Sequence, residues 1–329
     1  MSIREDAKYS MKIKALYYLY EKNYTQTDVA EKLRISRVTL GKWLDEAKSE
    51  GMIRFNIVDA RDELPLVRME EELKSLFHPD DVRVFNAKNL DDAGIMWKIG
   101  SSAAAYIDQE VHSNMRIGVT WGRTLNFMVN ELTVNPSVKG LEVYSLIGGT
   151  SSSEALQPGV LAQNFLNKYN GSLRILAAPF ICSSEKLCED LRKDEQIASV
   201  LEGMKNLDLT LVGIGEEPVR GSSVLGDYPF DADIIQELVD QQAVGDICGN
   251  FIDINGSICK TSLKKRTVSI DIRELRRHKK VVGIGGGSRK VRSILGALHG
   301  GYLDVLLTDS NTASAVIEME KAYRAKRVF

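Results

Sequence analysis

Four short runs place glycine, hydroxyl, guanidinium and ammonium groups directly behind apolar stretches: TWGRT at 120–124, GGTSSSE from 148, GIGEE from 213 and GGGSRK from 285. In the first, Gly122 permits close backbone approach, Thr120 and Thr124 bring hydroxyls, and Arg123 brings a fork of donors. A helix opening at once behind them makes that run an anion cradle. Gly148 and Gly149 open a second turn rich in backbone and hydroxyl donors, and Lys290 adds an ammonium to the first turn of a helix. Asp246, in AVGDICGNF, is placed to accept from sugar hydroxyls. One glycine behind a strand is usually only a tight turn. Several of them, loaded with donors of both kinds, point to a polar ligand that is phosphorylated or polyhydroxylated.

Known nucleotide motifs fit these runs poorly. GVTWGRT lacks the order of a P-loop. VVGIGGGSRK begins like a dinucleotide-binding turn but has Ser288 at the third glycine and lies near the C-terminus. Asp309 follows the next strand at a spacing tolerable for a ribose contact, yet Arg289 and Lys290 behind the glycines fit direct anion binding better.

The elements that must hold these groups follow from periodicity. β-rich runs at 82–86, 115–119, 141–147, 173–177, 207–213, 281–285 and 303–308 alternate with amphipathic helices, for instance at 92–109, 154–169, 194–205, 287–298 and 312–322. Continuous apolar strands separated by helices imply a parallel sheet covered on both faces, an α/β domain. Ligands of such sheets bind beyond the carboxyl ends of the strands, where the four runs lie. DELPLVRMEEELKSLF, from 62, reads as a helix covering the sheet, its two heptads being too few for a coiled coil. The irregular 216–230, rich in Gly, Pro and Ser, reads as a lid.

The N-terminal segment has a different character. Residues 1–58 hold 11 Lys+Arg against 8 Asp+Glu, whereas the whole chain has a net charge of −2. Met11, Ala15, Tyr18 and Leu19 share one helical face. Thr25 caps a second helix with Asp28 completing a looser relative of the capping box, and Ser36 caps a third that runs to about Glu50 before Gly51. IRFNIV then reads as a returning strand, the wing of a winged head. Two short helices joined by a tight turn, the second basic at its start, form a helix-turn-helix. Ser36, Arg37, Thr39 and Lys42 project from the recognition helix toward base edges and phosphates, and Gln26 is placed to touch the phosphate backbone. The turn before Ile35 requires positive φ, yet carries Arg34 rather than glycine.

Composition narrows the rest. With 43 % hydrophobic and 27 % charged residues the chain reads as soluble and globular, and no run approaches the roughly 20 apolar residues of a bilayer span. The charged N-terminus lacks the apolar core of a signal peptide, so a cytoplasmic protein is expected. Cys182, Cys188, Cys248 and Cys259 form no CxxC pair, and His78, His112, His278 and His299 show no metal-ligand spacing. No metal and no cofactor are expected.

The blocks YTQTDVAEKLRISRVTLGKWLDEAKSEGMI, IGVTWGRTL, LIGG, LVGIG, GDICGNFID and GIGGGSRKVRSILGALHGGYLDVLLTDSNTA, in this order and spacing, resemble the SorC family (SorC/DeoR-type) of bacterial sugar-binding transcriptional regulators over essentially the whole chain. The resemblance implies a helix-turn-helix DNA-binding domain over 1–58. It implies a Rossmann-like effector-binding and oligomerisation domain over 59–329, related to sugar-phosphate isomerases and deaminases. It further implies operator DNA with two-fold related half-sites, a sugar or sugar-phosphate effector, a homotetramer, and control of a carbohydrate-utilisation operon without catalysis. The family's effector contacts carry over to Gly122 and its neighbours in TWGRT, to Gly149, to Asp246 and to Lys290. Arg34 departs from the usual turn glycine, and Ser288 and Arg289 from the acidic or polar residues common there. The alternative is an isomerase- or deaminase-like enzyme on phosphosugars, with a nicotinamide dehydrogenase behind it. Against both, the sequence lacks a pairing of base and nucleophile, and no histidine falls in a strand-end loop.

Overall fold

The computed structural model describes residues 3–53, 57, 59–150, 157–218 and 230–327. They form two compact units, Met1–Arg61 and Asp62–Phe329.

The first unit is helical. α1 (Ile3–Leu16) runs into a single π turn over Tyr17–Glu21, followed by α2 (Gln26–Leu33) and α3 (Arg37–Ser49). The Thr25 hydroxyl accepts the Asp28 N–H at 3.2 Å while Asp28 Oδ2 accepts the Thr25 N–H at 3.2 Å, so both halves of the capping box form. Ser36 Oγ accepts the Thr39 N–H at 3.0 Å and starts α3. Between the helices Arg34 adopts φ 54° and ψ 45°, the left-handed conformation that the turn demands of whatever residue occupies it. Ala15, Val29, Ala30, Leu40, Trp43 and Leu44 make a small core of their own. Of the wing expected at 53–58, residues 54–56 and 58 lie outside the described residues.

The second unit is α/β. Its elements are α4 (Leu64–Phe77), β1 (Asp81–Phe85), α5 (Asp92–Glu110), β2 (Arg116–Val119), α6 (Arg123–Glu131), β3 (Leu141–Ser145), α7 (Pro158–Leu166), β4 (Gly171–Arg174), α8 (Glu185–Lys193), α9 (Glu195–Gly203), β5 (Leu209–Gly213), α10 (Ala232–Asp240), β6 (Gly245–Ile247), β7 (Asn250–Ile252), α11 (Ser262–Arg266), β8 (Val281–Ile284), α12 (Val291–His299), β9 (Val305–Asp309) and α13 (Ser310–Arg327). Seven strands form one parallel sheet in the order β1-β9-β8-β5-β2-β3-β4, while β6 and β7 pair as a separate antiparallel hairpin.

Successive strand residues serve opposite faces. Val281 and Leu306 join one buried cluster, and Val282, Val305 and Leu307 the other. Both faces are covered, which is why these strands read as unbroken apolar runs.

All seven expected strands are present, with one shifted. Residues 175–177 leave the ladder, because register against Leu141–Tyr144 places β4 at Gly171–Arg174. The helix expected from 154 begins at Pro158, its first expected turn lying largely outside the described residues. Residues 219–229 of the expected lid lie outside them as well. Among the described residues, no helix is long and apolar enough to cross a membrane.

Candidate functional site

From β2 the chain proceeds to β3 and β4 on one side, while from β5 it proceeds to β8 and β9 on the other. The carboxyl ends of β2 and β5 therefore mark the reversal point of the sheet, where open α/β folds keep their ligand crevices. A pocket lies there, lined by Thr120, Gly122, Arg123 and Thr124 behind β2, by Gly215 and Glu216 behind β5, by Lys290 behind β8, and by Asp246 and Cys248 of the hairpin. Six of the eight effector-site residues expected from sequence thus meet in one place.

Their local geometry explains how. Gly122 stands at φ 139° as the residue preceding α6, a conformation closed to side chains, and Arg123 begins the helix. Thr120 is spent internally: its hydroxyl accepts the Gly213 N–H at 3.1 Å and ties the β2 loop to the β5 loop. It is thus a positioning group rather than a free donor. Asp246 is 4 % exposed, with Oδ2 accepting the Gly249 N–H at 2.8 Å. A Cβ on Gly215 would lie 1.9 Å from Asp246 Oδ1, so the glycine of GIGEE is what lets this carboxylate reach the pocket wall.

The electrostatics are those of an anion site beside an acceptor. Desolvation pushes the Asp246 carboxyl up to about 6, against the opposing pull of the Gly249 N–H and the Lys290 charge. Desolvation also lowers the Lys290 ammonium from its ordinary value, with Glu216 and Asp246 opposing and Arg123 and Arg289 adding to the drop. Neither the Arg123 guanidinium nor the Lys290 ammonium has a hydrogen bond or ion pair among the described residues. Two cations therefore line one cavity, and the charge of Arg123 counts against that of Lys290, an arrangement that a bound anion relieves.

Other residues weighed from sequence sit elsewhere. Gly148 and Gly149 lie outside this pocket. The chain behind β3 bridges Gly149 to Pro179, and a Cβ on Gly148 would lie 2.5 Å from the Ala178 carbonyl oxygen. Close backbone crossing accounts for Gly148, whereas a Cβ on Gly149 would meet nothing nearer than 3.8 Å and Gly149 borders a separate, mostly aliphatic groove. Arg289 is absent from the pocket lining and pairs with Glu216 at 3.3 Å and Asp92 at 4.0 Å. Asp309, weighed as a ribose contact, is fully buried. It accepts from the N–H groups of Gly287, Asn311 and Thr312 and from the Thr312 hydroxyl. Because the Gly287 N–H is also shared with Thr312 Oγ1 at 2.7 Å, the glycine turn has spent a donor that a pyrophosphate would need.

Glu216, Cys248, Met96 and Trp121 also line the pocket without having been singled out from sequence. Only Glu216 carried a signal, its place in GIGEE behind a strand.

In the first unit, Gln26, Ser36, Arg37 and Lys42 are exposed and Thr39 is half-buried. Arg37 and Lys42 form no ion pair among the described residues. Ser36 and Thr39 are less free, since their hydroxyls lie 2.7 Å apart within the cap.

Comparison with known proteins supplies the family. The model described as "Putative sugar-binding domain" (Sugar-bind) matches residues 64–318, from the first residue of α4 into α13. The deoxyribonucleoside regulator of Bacillus subtilis (strain 168) is 31 % identical over 312 residues, covering 94 % of this chain and 98 % of that protein. The chain belongs to the SorC/DeoR-type family of sugar-binding transcriptional regulators. The sorbitol operon regulator of Klebsiella pneumoniae is another relative, 26 % identical over 97 % of this chain and 100 % of its own. The crystal structure of full-length SorC from Klebsiella pneumoniae shares the fold with a TM-score of 0.74, at 24 % identity over 94 % of this chain and 98 % of that one. These SorC/DeoR-type relatives are named as regulators, not as enzymes.

Proposed function

We propose that this regulator binds operator DNA through a helix-turn-helix head over 1–58, and that a sugar phosphate held by the body over 59–329 controls that binding. In this reading the protein works in the cytoplasm as a homotetramer on two-fold related half-sites of a carbohydrate-utilisation operon. Arg37 and Lys42 contact bases and phosphates from α3, Ser36 and Thr39 hold the N-terminus of that helix in shape, and Gln26 meets the backbone at the start of α2. In the pocket, Arg123 and Lys290 take the phosphate while Asp246 and Thr124 take hydroxyls, with Gly122 giving the ligand access to the backbone and Thr120 holding the loop.

The observation that carries the reading is the convergence, at the reversal point of the sheet, of a buried carboxylate and two cations whose side chains are unpaired among the described residues. A neutral sugar needs no paired cations. The names of the relatives, a deoxyribonucleoside regulator and a sorbitol operon regulator, direct attention to pentose and polyol derivatives.

The test is electrophoretic mobility on duplexes that the protein itself selects from a random-sequence pool, with and without a panel of pentose, hexose and polyol phosphates and their unphosphorylated parents. Arg37→Ala with Lys42→Ala is expected to weaken selected-site binding by roughly tenfold or more, as loss of a base contact and a phosphate contact would. Lys290→Met is expected to keep DNA binding and lose the response to the phosphorylated ligand. Unchanged DNA binding by the double variant, or turnover of a phosphosugar by the wild type, overturns the proposal.

A further inference from the structure

Two residues of α3 have no internal explanation. Val38, in the first turn, is 71 % exposed, although a β-branched apolar side chain gains nothing from solvent and is a mediocre helix former. Gly41 sits one turn further on, in the middle of a helix, where glycine costs stability relative to alanine. Most glycines of the body either have positive φ or would bring a Cβ within 3.4 Å of a neighbouring atom, but around Gly41 a Cβ would meet nothing within 4 Å and the residue has no left-handed φ. An alanine would fit the folded head without strain. The reason for the glycine therefore lies outside the chain.

Spacing places the two together. Residues three apart on a helix are surface neighbours, so Val38 and Gly41 form one strip, with Arg37 and Lys42 beside it. The polar side chains of the same turn are committed elsewhere, Ser36 and Thr39 being hydrogen-bonded to each other within the cap. What α3 offers a groove at its N-terminal end is thus an aliphatic knob next to bare backbone, framed by two cations that are unpaired among the described residues.

We propose that Val38 and Gly41 set the sequence preference of this protein by shape: Val38 packs on the C5-methyl of a thymine in the major groove, and Gly41 lets the helix approach closely where a Cβ would meet the DNA. Major-groove apolar contact to thymine methyl is one of the few readouts available to an aliphatic side chain. The inference rests on the DNA-binding reading of the head, and its test separates the two.

Duplexes are selected from a random pool by the full-length wild type, and each thymine of the selected site is then replaced by deoxyuridine, which lacks only the methyl group. Removal of the methyl in one half-site is expected to weaken wild-type binding about fourfold, the worth of one buried methyl. Val38→Ala should bind thymine and uracil versions of that position equally. Gly41→Ala should raise the melting temperature of the protein and yet bind the selected site at least about tenfold more weakly, a loss comparable to one base contact. Opposite signs for folding and binding are what a merely structural glycine would not give. Wild-type affinity in Gly41→Ala overturns the role of Gly41, and methyl sensitivity that persists in Val38→Ala, or is missing in the wild type, overturns that of Val38. If the wild type selects no sequence at all, the DNA-binding reading itself falls, and this inference with it.

Discussion

Asp246 answers two opposed demands. Its burial between Gly215 and the hairpin gives the pocket a fixed acceptor, but the same burial raises its pKa from 3.8 to about 6. A carboxyl held higher in the folded than in the unfolded chain favours folding in its protonated form. The penalty is therefore absent below about pH 3.8, grows as pH rises to about 6, and is complete at neutrality, on the order of 3 kcal/mol for a shift of about two units. Asp246→Asn, which keeps an oxygen for the Gly249 N–H, is expected to stabilise the protein at pH 7.5 and to lose that advantage at pH 4. Denaturant titrations at the two pH values measure this, and an equal gain at both would contradict it. The same variant should bind the effector more weakly, exchanging function for stability. At this scale much was legible: Arg123, Asp246 and Lys290 stand out as polar groups in strand-end loops, and the structure gathers them. The engagement of Arg289 with Glu216, and of Asp309 with the glycine turn, was not legible. Both pairings join residues that only the sheet order makes neighbours.

The turn between α2 and α3 shows local strain that the fold tolerates. Arg34 occupies the left-handed region at φ 54° with its side chain exposed, where an L-residue is disfavoured by about 1 kcal/mol. Arg34→Gly is expected to stabilise the head by about that amount, offset in part by the greater freedom of glycine in the unfolded chain. Urea unfolding followed by Trp43 fluorescence reads it out, and a destabilised variant would show that the arginine side chain contributes more than its backbone costs. The demand for positive φ was visible in the sequence because the caps at Thr25 and Ser36 fix where both helices begin. The parallel strands were equally visible as apolar runs. The β6–β7 hairpin was not, because strands of three residues, buried on every side, leave no alternation to read.

For the whole molecule, the division at Arg61 and Asp62 sets a small helical core apart from a sheet buried on both faces. A core built around one tryptophan and a few aliphatic residues is marginal by its size. Scanning calorimetry is expected to show a first transition from the head and a second from the body. The effector at about 100 times its Kd should stabilise the second by about 2.7 kcal/mol and leave the first in place. A single transition moved as a whole would instead show that the units unfold together.

The carboxylate of Asp309 has one more consequence. Through Gly287 it holds the turn that carries Lys290, and through Asn311 and Thr312 it holds the start of α13. That helix is in turn clasped to α4, by Lys321 to Glu72 at 2.6 Å and by Arg324 to the Leu76 carbonyl at 2.7 Å. α4 begins at Leu64, just past the point where the chain comes in from the head. The turn that carries Lys290 and the start of α4, the first helix after the head, are thus joined through one buried carboxylate and one helix.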